Sequence, residues 1–158
     1  MLKELGLYKQ RILSPLYESD KIKDILLVND YEKMDDEKIH AELKKRIYSH
    51  LFVDKTITNT DTYIYFDVLI PRVGSTIKNC KVIIYAFCHK DIIDSYSLKG
   101  YFGNRVDILA QVIEDIFSDE SISRKFGIGK LSLSNVSIYN DERKFYGKIL
   151  EFEVPNFR

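Results

Sequence analysis

"KVIIYAFCHK", residues 81–90, is either the approach to an active site or a packed central strand, and the fold turns on which. Val82, Ile84, Ala86 and Cys88 alternate with Ile83, Tyr85 and Phe87, so both faces of an extended segment are apolar. Such a strand is covered on both sides, by its own helices or by a neighbouring subunit. Cys88 falls beside Ala86 on the small-residue face, and free cysteine is among the most buried residue types. Adjacent strand residues point to opposite faces, so Cys88 and His89 cannot act on each other as nucleophile and base. The segment reads as a packed strand with a structural thiol, meeting water at His89 and Lys90.

Upstream, "TYIYFDVLIPR" (62–72) puts Ile64, Phe66, Val68 and Ile70 on one face and Tyr63, Tyr65 and Asp67 on the other. This predicts a half-buried strand with a tyrosine-rich outer face, ended by Pro71. "RVGSTIKN" (72–79) then joins it to the central strand as a long-looped hairpin. Downstream, "GNRVDILAQVIEDIF" (103–117) predicts a helix capped by Asn104, with Asp107 in its first turn. Its apolar stripe is Val106, Leu109, Ala110, Ile113, Ile116 and Phe117; the opposite side is acidic. The last third predicts a second hairpin turning at "NDER" (140–143). Leu131 and Leu133 are odd but Val136 and Ile138 are even, a phase change that predicts a β-bulge near Ser134 and Asn135.

Before residue 62 the pattern is helical. Residues 2–13 carry Leu2, Leu5, Ile12 and Leu13, and Pro15 interrupts. Ser19 caps a short helix bearing Ile22, Ile25 and Leu26. A third helix is expected from Asp35 or Asp36 to about Phe52, with Ile39, Leu43, Ile47 and Leu51 on one stripe and a basic "KKR" at 44–46. The expected architecture is α+β: an antiparallel sheet of two β-hairpins with packing helices. Residues 1–34 are expected as a helical N-terminal arm and 35–158 as one domain.

The 158 residues suit one domain, and 45% apolar with 30% charged residues allows a sizeable core. With 24 basic and 24 acidic residues the net charge is zero, which disfavours a tight grip on nucleic acid. No apolar run reaches the roughly 18 residues of a membrane span, and the N-terminus lacks the continuous apolar core of a secretory signal. Cys80 and Cys88, on one strand, would lie roughly 26 Å apart, beyond disulfide reach, so a reduced intracellular protein is expected.

A search for chemistry finds little. Two cysteines and three scattered histidines match no zinc spacing. "FGIGKLS" (126–132) lacks phosphate-loop spacing and precedes a strand rather than a helix. A metal-dependent nuclease would need Asp67, Glu151 and Glu153 to converge, which demands a particular strand order. Neither a metal centre nor a cofactor is expected. Excess strand-face apolarity with many tyrosines points instead to an interaction or assembly protein.

The order of pieces carries a resemblance. "DDEKIHAELKKRIYSHLF" (35–52), the hairpin 63–90, the helix "GNRVDILAQVIEDIF" and the closing "GKLSLSNVSIYNDERKFYGKILEFEVPNF" (129–157) resemble the tail-terminator and neck (head–tail connector) proteins of tailed bacteriophages. The resemblance implies a non-enzymatic virion protein, assembled in the host cytoplasm. It would form a ring, commonly a hexamer, that ends the tail tube, docks to the head-completion or connector protein and lets DNA pass without tight binding. A head-completion adaptor is the neighbouring possibility, and a nuclease the alternative of another class. For a head-to-tail ring, Tyr63, Tyr65 and Asp67 with Lys44, Lys45 and Arg46 are the expected subunit contacts. Asp107, Glu114, Asp115 and Glu120 are the expected lumen-facing acids.

Overall fold

The central segment is hydrogen-bonded on both sides. The computed structural model describes residues 2–27, 31–54, 57, 59–73, 78–141 and 144–157. Its helices are α1 (Leu2–Glu18), α2 (Asp20–Leu27), α3 (Asp36–Lys44), α4 (Arg105–Ser118) and α5 (Glu120–Phe126). Its strands are β1 (Ile47–Tyr48), β2 (Thr62–Val73), β3 (Lys78–His89), β4 (Ser132–Asn140) and β5 (Phe145–Phe157). They form one sheet in the order β1-β2-β3-β5-β4. The fold is α+β as expected, and the sheet is antiparallel except for β1, which pairs parallel to β2 and makes it mixed. The middle of the 72–79 loop and part of the 140–143 turn lie outside the described residues.

β3 is covered on both faces by its own chain. Val82, Ile84 and Ala86 are wholly buried in the main core beneath the helices. On the outer face Phe87 is equally buried, in a second cluster with Tyr63, Tyr65 and Phe145. Tyr48, Leu51, Val53 and Ile57 lie over that cluster.

α4 packs on β3 and β5 and carries the expected cap. The Asp107 backbone N–H donates to Asn104 Oδ1 and the Asn104 N–H donates to Asp107 Oδ2, both at 3.0 Å. This reciprocal pair satisfies two of the donors that a helix start leaves open. The buried stripe is wider than the expected one, taking in Ile108 and Val112, because α2 and α5 also pack on this helix.

Four features depart from the sequence reading. α1 runs through Pro15 to Glu18: Tyr8, Ile12, Pro15 and Leu16 form one buried stripe, and that burial outweighs the missing N–H. Residues 2–27 are no separate arm, since Ile12, Leu16, Ile22 and Ile25 belong to the same core as β3. β2 continues past Pro71 to Val73, with a register shift between Leu69 and Arg72. α3 ends at Lys44 rather than near Phe52. Ile47 enters the core and Tyr48 stacks on Tyr65 at 4.6 Å, contacts available only to an extended segment beside β2. The expected bulge is present: the β4–β5 register shifts between Leu133 and Asn135.

At Gly147 three strands meet closely. It stands opposite Phe87 on β3 and Tyr139 on β4, whose rings stack across it at 4.6 Å. A Cβ there would sit 2.1 Å from the Ala86 carbonyl oxygen and 2.4 Å from Phe87 Cβ. Gly147→Ala is expected to cost about 3 kcal/mol by overpacking, read as a lowered urea midpoint with unchanged slope.

The cap predicts a pH dependence. Burial raises the Asp107 pKa, but the hydrogen bonds from Lys148 and the Asn104 N–H outweigh it and hold the carboxyl below its usual value. A depressed folded-state pKa contributes stability that is present above the unfolded carboxylate range and lost as pH falls through the folded value. Asn104→Ala should cost about 1 kcal/mol at neutral pH, and Asp107→Asn should flatten the acid limb of a stability–pH curve.

Candidate functional site

The ending of β3 is structural. Cys80 and Cys88 are both free and buried, and burial pushes their thiols up to about 11 and about 12. At neutral pH neither supplies thiolate. His89 is largely buried, its Nδ1 accepting from the Asp91 N–H at 3.1 Å, and its ring meets the edge of Phe145. Lys90 is exposed, so water is met one residue later than the sequence suggests.

The tyrosine face is closed. Tyr63 and Tyr65 are 3% and 2% exposed beneath Tyr48, Leu51, Val53 and Ile57, which corrects the expectation of an open phenolic contact surface. Burial pushes the Tyr63 hydroxyl up to about 12 and that of Tyr65 higher still. Tyr65→Asp would therefore place a charge inside the fold rather than release a folded monomer. Asp67 pairs with Lys9 of α1 at 3.0 Å.

The basic run divides by role. Arg46 is a latch: its Nη1 donates to the Glu42 carbonyl (3.0 Å) and carboxylate (2.8 Å), and its Nη2 reaches Asp61 at 3.4 Å. These bonds tie the end of α3 to the entry of β2 and engage two of the three guanidinium nitrogens; Nε has no hydrogen-bond partner among the described residues. Lys45 is exposed and also pairs with Glu42. Lys44 lies beside Tyr17 and His40, whose rings approach to 5.2 Å.

The four acids do not share a face. Asp107 is paired with Lys148 at 2.5 Å. Glu114 borders a trough beside β4, with Asp107 and Gln111. Asp115 lies on the other side of α4, accepting from the Tyr101 hydroxyl at 2.7 Å. Glu120 belongs to α5 and faces Arg124.

The nuclease constellation is not assembled. β3 separates β2 from β5, and Ile83 stands between Asp67 and Glu151 in the cross-strand row. Two strand spacings are about 10 Å, too far to share one divalent ion at coordination distance. Glu151 accepts from Asn135 Nδ2 at 2.8 Å. Among the described residues no group of three His, Cys, Asp or Glu is placed to hold a metal, and no helix is long and apolar enough to cross a membrane.

The surface that the sequence reading missed is β4. It is an edge strand, and "SLSNVSIYN" contains no charge and no proline. Its bulge keeps Leu133, Val136 and Ile138 opposite Phe152, Leu150 and Lys148, all toward the helix side. α4 does not extend over them, so they remain 37%, 48% and 66% exposed, with Phe102 at 79% beside them. Ala110, Gln111 and Glu114 form the α4 wall of a trough of ≈220 Å³. An uncharged edge with exposed apolar side chains is a template for pairing with another chain. The available signal was the absence of charge over residues 131–140, flanked by Lys130 and Asp141.

Cys88 should resist a thiol-directed reagent at pH 8 in the native state and label at the unfolding rate in denaturant. Rapid native labelling would show the β3 core to be open.

No curated protein matches the chain. The family model YomW matches residues 10–154, from the middle of α1 to near the end of β5, and takes in every helix and strand between those two. The name is that of a protein from a Bacillus phage region. The chain therefore belongs to the YomW family.

Proposed function

We propose that this chain is a structural protein of the virion that forms a ring at the head–tail junction, ends the tail tube and docks it to the head connector. The observation that carries this reading is the β4 edge with its apolar trough, on a chain whose family bears the name of a phage-region protein. Full burial of an aliphatic or aromatic side chain is worth about 1.5–3 kcal/mol. Leu133, Val136, Ile138 and Phe102 together thus hold a substantial drive for association. Zero net charge removes the long-range repulsion that would otherwise oppose bringing copies together.

In this reading copies meet through β4 and the trough rather than through Tyr63 and Tyr65, which are shielded within the subunit. Glu114, at the border of the trough, becomes a contact residue, and the exposed Lys45 remains a basic contact for a neighbour. A heterologous contact of this kind closes into a ring when its rotation permits, and six copies is the number the tail-terminator resemblance implies. A neutral protein lets DNA through without a firm hold on its phosphates. The partners are the chain itself, the tail tube protein and the head-completion or connector protein, and the location is the virion neck after assembly in the host cytoplasm.

The test is sedimentation and negative-stain microscopy of the purified chain, alone and with its tube protein. Val136→Asp with Ile138→Lys should give a folded monomer, judged by an unchanged circular dichroism spectrum, where the parent chain forms closed rings that cap tubes. A parent chain that stays monomeric alone and does not end tubes would defeat the reading. Capping of the connector but not of tubes would reassign it to head completion.

A further inference from the structure

At the end of the sheet away from the β4 trough, Arg105 is the first residue of α4 and is 2% exposed. Its Nε donates to the Ile92 carbonyl (3.0 Å), Nη1 to the Ile25 carbonyl (3.0 Å) and Nη2 to Ser95 Oγ (3.2 Å). All three acceptors are neutral. Its guanidinium lies over the Tyr96 ring, 5.0 Å from the centroid, and Asp24 acts on it only from beyond that tyrosine, whose hydroxyl donates to the Asp24 carboxylate. Among the described residues no carboxylate is paired directly with Arg105. A buried charge of this kind is costly unless a counter-charge reaches it.

The guanidinium borders a cavity of ≈260 Å³, and the neighbouring walls repeat the same polarity. Arg46 lines it, and its buried Nε has no hydrogen-bond partner among the described residues. Thr62 lines it as well; it is 1% exposed and its Oγ1 is likewise unpartnered. Thr60 and Ser95 add hydroxyls, and Asp61, the one carboxylate among the described lining residues, is paired with Arg46. Arg46 is neutralised by Glu42 and Asp61, so the charge left without a direct carboxylate partner among the described residues is that of Arg105. A water's share of liquid volume is about 30 Å³, so the cavity has space for an ion several times larger.

We propose that this cavity binds a small oxyanion, held between the Arg46 and Arg105 guanidiniums with the Thr62 hydroxyl as a further donor. Planar guanidinium forks suit carboxylate and phosphate oxygens. The anion supplies the counter-charge that Arg105 lacks and joins α2, the entry of β2 and the start of α4 at one point. This site is independent of the ring proposed above, so its test stands or falls separately.

Inorganic phosphate and acetate are titrated into the full chain at constant ionic strength, chloride serving as the control, and followed by calorimetry and by NMR of the arginine Nε–H groups. Expected is saturable binding of at least one, with shifted Arg46 and Arg105 resonances and a raised melting temperature. Phosphate alone identifies a tetrahedral site and acetate alone a carboxylate site; either supports the proposal. Thr62→Val keeps the side-chain shape and removes an unpartnered hydroxyl, so the variant should fold at least as stably and bind about tenfold more weakly. Arg46→Lys, which keeps the charge and loses the fork, should also weaken binding. Absence of saturation with both anions, or binding unchanged in both variants, overturns the proposal.

Discussion

β3 is paired with a strand on each side and packed against side chains on both faces, and the other elements are arranged to make that possible. Little of such a strand is left to water: Ile83 and Tyr85 on the outer face keep partial exposure, while Val82, Ile84, Ala86, Phe87 and Cys88 must each meet a neighbour. On one side the neighbours are α1, α2 and α4. On the other they are chiefly rings, supplied by β1, β2, β4 and β5, with Leu51, Val53 and Ile57 from the segment after β1 laid over them. The two layers meet the same need by different chemistry. Aliphatic groups from helices fill one, and aromatic groups at centroid separations of 4.6–6.3 Å fill the other.

Coverage is uneven across the sheet, and that unevenness locates the candidate surfaces. The helices sit over β2, β3 and β5 and leave β4 bare on the same side. At one end of the sheet, several segments converge without filling the space between them, and two arginines face the resulting cavity. The first surface is apolar and open, suited to a macromolecule. The second is polar and small, suited to an ion. They use different residues, so a chain can carry both without conflict.

Much of the fold was legible because periodicity reports which side of an element is dry. The two faces of β3, the Asn104 cap and the phase change in β4 are all local signals, and each is found where the sequence put it. What the pattern could not report is which neighbour does the covering. Tyr63 and Tyr65 read as an open face because nothing local shows that Tyr48, Leu51, Val53 and Ile57 pack over them. Arg46 read as surface charge because its partners, Glu42 and Asp61, include one that comes close only after β1 docks on β2. Leu133, Val136 and Ile138 read only as a phase change because alternation registers apolarity and not the reach of α4. Asp67 and Glu151, residues of the nuclease alternative, are separated by a whole strand because β3 lies between β2 and β5, an order no local pattern reports.

Gly147 has a consequence for how the sheet assembles. Alternation of apolar and polar residues rejects any misalignment of β5 by an odd number of positions, since that would turn its greasy side outward. It is blind to misalignments by two. The empty place at Gly147 is not: moved by two, Phe87 would face the bulk of Phe145 or Ile149 instead of a gap into which it and Tyr139 can close. A residue without a side chain thus proofreads the alignment of three strands at once, rejecting the errors that hydrophobic patterning tolerates.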